Sequence, residues 1–390
     1  MQNKNNMTYW SDWLAWALWI ALLGYALIAT LHTGRTVTGN YYNAALHWLQ
    51  GLPLYSGSGG GFIYLPQSAI AYIPFAVMPF PVSEILWRLL NWALIFCLAQ
   101  SCVALIDEPP KKKSYYFLIF TVFFLPVAFP SLRNGQMNLT VVIFMVSAML
   151  FIMKERWGLV AFVLVFGFFA KPTVIVMLLL VAVLYPKTIK YMLLWAMAFL
   201  VLPFVTHFDW AYVVSQYKAA YNSLMATDRV GLDSPKEWAQ LFNVLSLINV
   251  NPGHQLQLVL QIFFAAFTFV MLKIAQWRLR PRVFIIFLYT LSSCYLMLFN
   301  TRTENNSYII LGFATALLIA ICWQSKRFFA TFFIALVTLL IAFSHSLSKM
   351  VTIEDVSWVA PLATILLALV MLGYAVNLMF NHGDRIRHDT

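Results

Sequence analysis

Two short stretches of this chain gather groups suited to holding phosphate and sugar. Residues 132–138 read LRNGQMN and residues 300–307 read NTRTENNS, whereas a plain chain reversal needs only Gly, Asn or Pro. Arg133 and Arg302 carry the planar fork that grips phosphate through paired hydrogen bonds. Asn134, Gln136, Asn138, Asn305 and Asn306 offer amides that suit sugar hydroxyls. Lys171 interrupts an apolar stretch, where a mid-helix Lys costs about 2.5–3.5 kcal/mol on insertion scales. Such a cation either faces a buried anion, a lipid phosphate for instance, or snorkels to the interface from the tip of a short hairpin. Arg88, one turn into its apolar segment, reads as an interfacial anchor. The plainer reading of both polar stretches is a turn with an interfacial arginine.

The elements that must position these groups are apolar. Of 390 residues, 62% are hydrophobic, 17% aromatic and 10% charged, with a mean hydropathy of +0.78; a soluble chain is nearer half apolar and a quarter charged. The chain therefore reads as a polytopic, all-α transmembrane bundle, one integral membrane domain over 1–390. Kinase, Rossmann and nucleic-acid-binding classes are excluded. At about 20 apolar residues per crossing, there is room for roughly 12 spans, between about 11 and 13. Apolar runs begin at 13–31 and end at 358–380, several of them shorter than a crossing. The first reads as a retained span, since it lacks a small-residue cleavage motif. Cys97, Cys102, Cys294 and Cys322 all sit in apolar runs without metal-ligand spacing and read as small core residues.

The net charge of +11 is topological. Sixteen of the 25 Lys and Arg residues lie at Lys4 and in short basic segments around 111–113, 154–156, 187–190, 273–282, 326–327 and 385–387, which the positive-inside rule places in the cytoplasm. Seven lie in the longer aromatic loops 32–65, 132–137, 207–255, 300–307 and 345–357, which are then outside. This parity leaves two readings: 66–81, with Pro66, Pro74, Pro79 and Pro81, is re-entrant or interfacial, or it crosses and Lys111–Lys113 lie outside. The stretch 158–186 is basic at both flanks and reads as a short hairpin tipped by Lys171. In the first outside loop, Tyr41, Ala45 and Trp48 or Leu49 share one helical face, the pattern of an interfacial helix. The large outside loop 207–255 intersperses Trp210, Tyr212, Tyr217, Tyr221 and Trp238 with charges, as belt residues or as a platform for sugar or lipid.

In order, YYNAALHWLQGLPLY (41–55), FIYLPQSAIAYIPFAVMPF (62–80), SEILWRLLNWAL (83–94), NGQMN (134–138) and GLVAFVLVFGFFAKPTVIV (158–176) resemble glycosyltransferase family 87, polyprenol-phosphate-mannose-dependent α-mannosyltransferases of the GT-C superfamily. The resemblance implies a GT-C-like bundle with interfacial helices in its outside loops. It also implies an inverting transferase in the bacterial inner or plasma membrane, working on the extracytoplasmic face. Such a protein moves a hexose, mannose in the family, from a polyprenyl-phosphate carrier to a lipid or glycan acceptor. The bilayer and these substrates are its partners, nucleic acid is not, and no cofactor or metal is implied; no DxD motif occurs. Arg133, Lys171 and Arg302 would clamp the lipid phosphate, beside a lateral opening near 66–81. Asn40, Tyr41, Tyr42, His47, Tyr64, Asn134, Gln136, Asn138, Asn305 and Asn306 would hold sugar and acceptor.

The base departs from the family pattern. An Asp is expected just before the Tyr pair, but Val37, Thr38, Gly39 and Asn40 stand there, and 32–65 contains no Asp or Glu. Three readings follow: another acid serves, Glu304 first and Asp209 second; His32 or His47 serves; or transfer has been lost. Two other classes stand beside the transferase: a transporter or flippase of lipid-linked sugar, and a non-catalytic GT-C relative. Transporters show matched broken helices in two halves, and the sequence shows one broken hairpin, at Lys171-Pro172, without a counterpart.

Overall fold

The computed structural model describes residues 3–34, 36–55, 61–106, 108–233, 238–300, 302–351 and 356–380, which are helical without strands. The helices are α1 (Asn3–Thr33), α2 (Thr38–Gln50), α3 (Pro66–Ala76), α4 (Phe80–Val103), α5 (Pro110–Asn134), α6 (Asn138–Met153), α7 (Trp157–Ala170), α8 (Ile175–Leu184), α9 (Ile189–Thr206), α10 (Trp210–Asp233), α11 (Leu241–Leu247), α12 (His254–Arg278), α13 (Pro281–Phe299), α14 (Ile309–Gln324), α15 (Phe328–Ala342), α16 (Ser344–Val351) and α17 (Val359–Phe380). Proline opens α3, α4, α5 and α13, where its missing N–H costs nothing.

The all-helical membrane bundle is as expected. Among the described residues eight helices are long and apolar enough to cross a membrane, or nine if α15 and α16, bent by 73°, form one span. The expected count of about 12 is not reached, because α6, α7 and α8 are apolar but shorter than a crossing.

Hydrogen bonds fix which ends lie together. Thr38 Oγ1 donates to Glu84 Oε1 at 2.7 Å, so α4 begins where α1 ends. Between them α3, with 11 residues, rises about 16 Å, half the roughly 30 Å hydrocarbon core. It packs on α2 and α4 and adds no crossing. At the other end Ser114 Oγ donates to Asp12 Oδ2 at 2.7 Å and Lys113 Nζ to Ala104 O at 2.6 Å. The basic turns at 113, 154–156, 187–190, 278–282 and 326–327 follow by connectivity at this end, opposite the turns at 132–138 and 302–308. Arg35, Lys236, Arg385 and Arg387 lie outside the described residues.

The α2 stripe is real, yet it faces protein. Tyr41, Ala45 and Trp48 are buried together with Ala44, while Leu49 is exposed. Loop 207–255 contains the helices α10 and α11, and α10 is tied to the first loop by Tyr212 Oη donating to Leu52 O at 2.7 Å and Leu54 N–H to Gln216 Oε1 at 2.9 Å. Arg88 is no interfacial anchor: it is 0% exposed, because its guanidinium is spent on groups inside the bundle.

The core is centred on α5, α13 and α14, where the rings of Phe120, Phe124 and Phe313 meet at 5.0–5.4 Å. Small residues let membrane helices approach, and Gly312 does this for α14 on α5. A Cβ there would lie 2.6 Å from Val127 Cγ1 and 2.9 Å from its Cβ. Gly312→Ala should therefore destabilise by about 1–3 kcal/mol, and Val127→Ala should restore part of the loss. Thermal melting of the purified single and double variants checks both.

Candidate active site

The site is assembled from three chain reversals at one end of the bundle. α5 stops at Gly135, whose φ of 64° is the left-handed conformation that ends helices, and α6 starts at Asn138. That leaves Gln136 in the turn and Asn138 on the first turn of α6. α7 stops because Pro172 cannot continue it, and Lys171 is left extended (φ −149°, ψ 114°). The third reversal joins α13 to α14, with Glu304 also extended (φ −80°, ψ 158°).

These three meet in one polarised chain. Lys171 Nζ donates to Asn138 Oδ1. Asn138 Nδ2 donates to Gln136 Oε1 at 2.7 Å and touches Ser307 Oγ at 3.3 Å. Gln136 Nε2 donates to Glu304 Oε2 at 2.9 Å. An ammonium thus stands at one end and a carboxylate at the other, with two buried amides between them, every dipole pointing the same way. Aligned bonds of this kind polarise one another. Glu304 itself is exposed to the cavity.

The cavity they border holds about 850 Å³, within the usual range of roughly 300–1,000 Å³ for ligand sites. Its polar lining includes Asn40, Tyr41, Tyr64, Gln136, Lys171, Arg302 and Glu304, and its apolar lining includes Ile175 and Val176 of α8, Leu224 of α10, and Leu296 and Phe299 of α13. Arg302 lies over the Trp238 ring at 5.8 Å. Tyr41 Oη accepts from Met137 N–H at 3.2 Å. Burial pushes the Tyr41 phenol well up, and Tyr64 up to about 12; both stay neutral in ordinary buffers and can donate to a hydroxyl, but neither supplies a base.

Several residues expected here lie elsewhere. Arg133 does not line the cavity: its Nε donates to Asn134 Oδ1 at 3.2 Å and its guanidinium sits 5.7 Å over Phe129, so it stands apart from Lys171 and Arg302. Asn305 is bound to Ser344 and Ser357 at 3.1 and 2.9 Å, and the Asn306 carbonyl accepts Ser131 Oγ at 2.6 Å. Tyr42 Oη donates to Met78 O at 3.1 Å, and His47 Nδ1 lies 2.9 Å from Pro53 O. Asp209 caps α10, its Oδ1 accepting Tyr212 N–H at 3.1 Å. In the first loop Thr38 engages Glu84, a carboxylate paired with Arg88 at 3.3 Å. Sequence reasoning missed Gln261 of α12 and Tyr295 of α13, cavity residues joined by Tyr295 Oη donating to Gln261 O at 3.0 Å. The available signal was a polar side chain inside an apolar run. Among the described residues no three His, Cys, Asp or Glu side chains gather as a metal site.

The family model of glycosyltransferase family 87 matches residues 62–301, more than half of the chain. No curated protein matches it. The matched range includes Gln136, Asn138 and Lys171 and stops just before Arg302 and Glu304, whose assignment rests on geometry.

Asn138 tests the chain of amides. Asn138→Leu strands Lys171 Nζ and Gln136 Oε1, each a buried loss of about 1–3 kcal/mol, and should lower the melting temperature of the purified protein. Asn138→Asp, which still accepts from Lys171, should lower it less.

Proposed function

The chain belongs to glycosyltransferase family 87, and on that premise we propose that this membrane glycosyltransferase moves a hexose from a polyprenyl-phosphate carrier to a lipid or glycan acceptor on the extracytoplasmic side. The observation that carries the reading is the cavity wall on which Lys171 and Arg302 supply positive charge and Glu304 a carboxylate. Mannose is the sugar the family suggests. The outward orientation is supported by the basic turns at the opposite end of the bundle, in a bacterial inner or plasma membrane.

The chemistry follows from the charges. The acceptor oxygen attacks the anomeric carbon, the bond from that carbon to the phosphate oxygen breaks, and its electrons leave with the lipid phosphate. Lys171 and Arg302 would stabilise the charge that develops on the phosphate, worth most in a site closed to water. Glu304 would take the acceptor proton. Its Oε2 is already held by Gln136, which leaves Oε1 to face the hydroxyl. Tyr41, Tyr64 and Asn40 would orient the sugar, and Trp238 offers its ring. The apolar wall of α8, α10 and α13 would take the first prenyl units, placing the lateral opening there rather than at 66–81.

Glu304→Gln should lower transfer by about 10²–10⁴-fold, the usual worth of a positioned base, and Arg302→Ala should abolish detectable transfer, both with folded protein. A panel of radiolabelled polyprenyl-phosphate sugars, with a proteoliposome translocation assay beside it, measures this. Retained transfer in both variants removes the 302–307 segment from the mechanism, and translocation without transfer replaces the enzyme by a flippase. Asp209→Asn should leave transfer unchanged.

A further inference from the structure

We infer that Trp87 and Arg88 are positioning residues: from α4 they fix the turn at the end of α5 that aims Gln136 and Asn138 at their partners. The inference rests on the reading of that amide chain as the catalytic wall, but concerns two side chains that do not line the cavity.

A helix leaves its last four carbonyls without intrahelical partners, and inside an apolar bundle each must find one. At the end of α5 every carbonyl from 131 to 135 is held. Gln136 N–H donates to Ser131 O at 3.0 Å, Gly135 N–H to Leu132 O at 3.1 Å, and Val37 N–H to Asn134 O at 3.1 Å. Thr30 Oγ1 of α1 also donates to Arg133 O at 2.9 Å, and the other contacts come from α4. Arg88 Nε donates to Leu132 O at 3.1 Å and Nη2 to Arg133 O at 2.8 Å, while Trp87 Nε1 donates to Gly135 O at 3.0 Å. The other Arg88 N–H groups reach Glu84 O at 3.2 Å, Glu84 Oε1 at 3.3 Å and Thr36 Oγ1 at 3.1 Å, which uses all five guanidinium donors.

An arginine that merely anchored α4 at a membrane surface would not direct its fork at the residues just before Gln136. Gly135 is shaped to this approach: a Cβ there would lie 3.2 Å from Arg88 Cζ and would collide with Thr38 Cγ2. Trp87 also packs against Tyr41 with ring centres 6.2 Å apart, and Tyr41 Oη takes the Met137 N–H. The pair therefore constrains the turn on both sides of Gln136. Lysine at 88 would keep the charge, but one nitrogen cannot span both carbonyls and the Glu84 carboxylate.

The test compares Trp87→Phe and Arg88→Lys, each alone and combined with Gln136→Ala, in full-length protein in lipid nanodiscs. It reads amide hydrogen exchange over 131–139, and transfer kinetics with whichever polyprenyl-phosphate sugar the panel identifies. The expected result is faster exchange there, with kcat lower by about 10- to 100-fold and donor KM within about 3-fold, since small misplacements cost rate rather than binding. Added to Gln136→Ala, either substitution should cost clearly less than it does alone, because both act in large part through that residue. Unchanged exchange, unchanged kcat per folded molecule, or losses that multiply in the double variants would overturn the inference. If Arg88→Lys does not fold, Trp87→Phe, which loses one hydrogen bond and keeps an aromatic ring, decides. If the wild-type protein transfers no sugar, the proposed function fails and the exchange result alone decides the positioning.

Discussion

A lysine and a glutamate drawn from distant parts of an apolar chain meet at one cavity, and the buried amides of Asn138 and Gln136 join them. A buried amide left without its partner costs about 1–3 kcal/mol, so the three reversals that carry these groups cannot drift independently. Gly135 ends α5 and Pro172 ends α7 at the points that let the side chains converge. The cavity inherits its polarity from that convergence: an ammonium, a guanidinium and a carboxylate line it together with apolar side chains of α8, α10 and α13.

How much of this was legible differs residue by residue. Lys171, Gln136 and Asn138 were readable because a cation in an apolar run and a dense polar turn are anomalies against a uniform background. Tyr41, Ala45 and Trp48 were readable as one face because helical periodicity is local. That the face meets protein and not lipid was not readable, since periodicity reports an angle and not a neighbour. Arg88 was misread for a related reason: four of its five bond partners are a backbone carbonyl or a small hydroxyl, and these leave no pattern in a sequence. Asn305 and Asp209 illustrate the opposite ambiguity. An amide suited to a sugar hydroxyl serves Ser344 and Ser357 equally well, and an acid suited to catalysis serves equally as a helix cap.

The missing first-loop acid looks different beside the structure. Thr38, in the stretch where the family resemblance expects an Asp, donates a hydrogen bond to Glu84, which Arg88 already holds. That carboxylate belongs to the framework of α2, α4 and α5. The exposed acid on the cavity wall is Glu304, delivered by the α13–α14 reversal instead.

The amide chain also has a direction in time. Ribosomes deliver the chain from its N-terminus, so Lys171, Asn138 and Gln136 enter the membrane well before Glu304 exists. Until then the line of dipoles runs from a cation to an amide N–H with no anion to receive it. Docking of the α13–α14 reversal closes that circuit, giving the last-made part of the site an electrostatic reason to find the part made first.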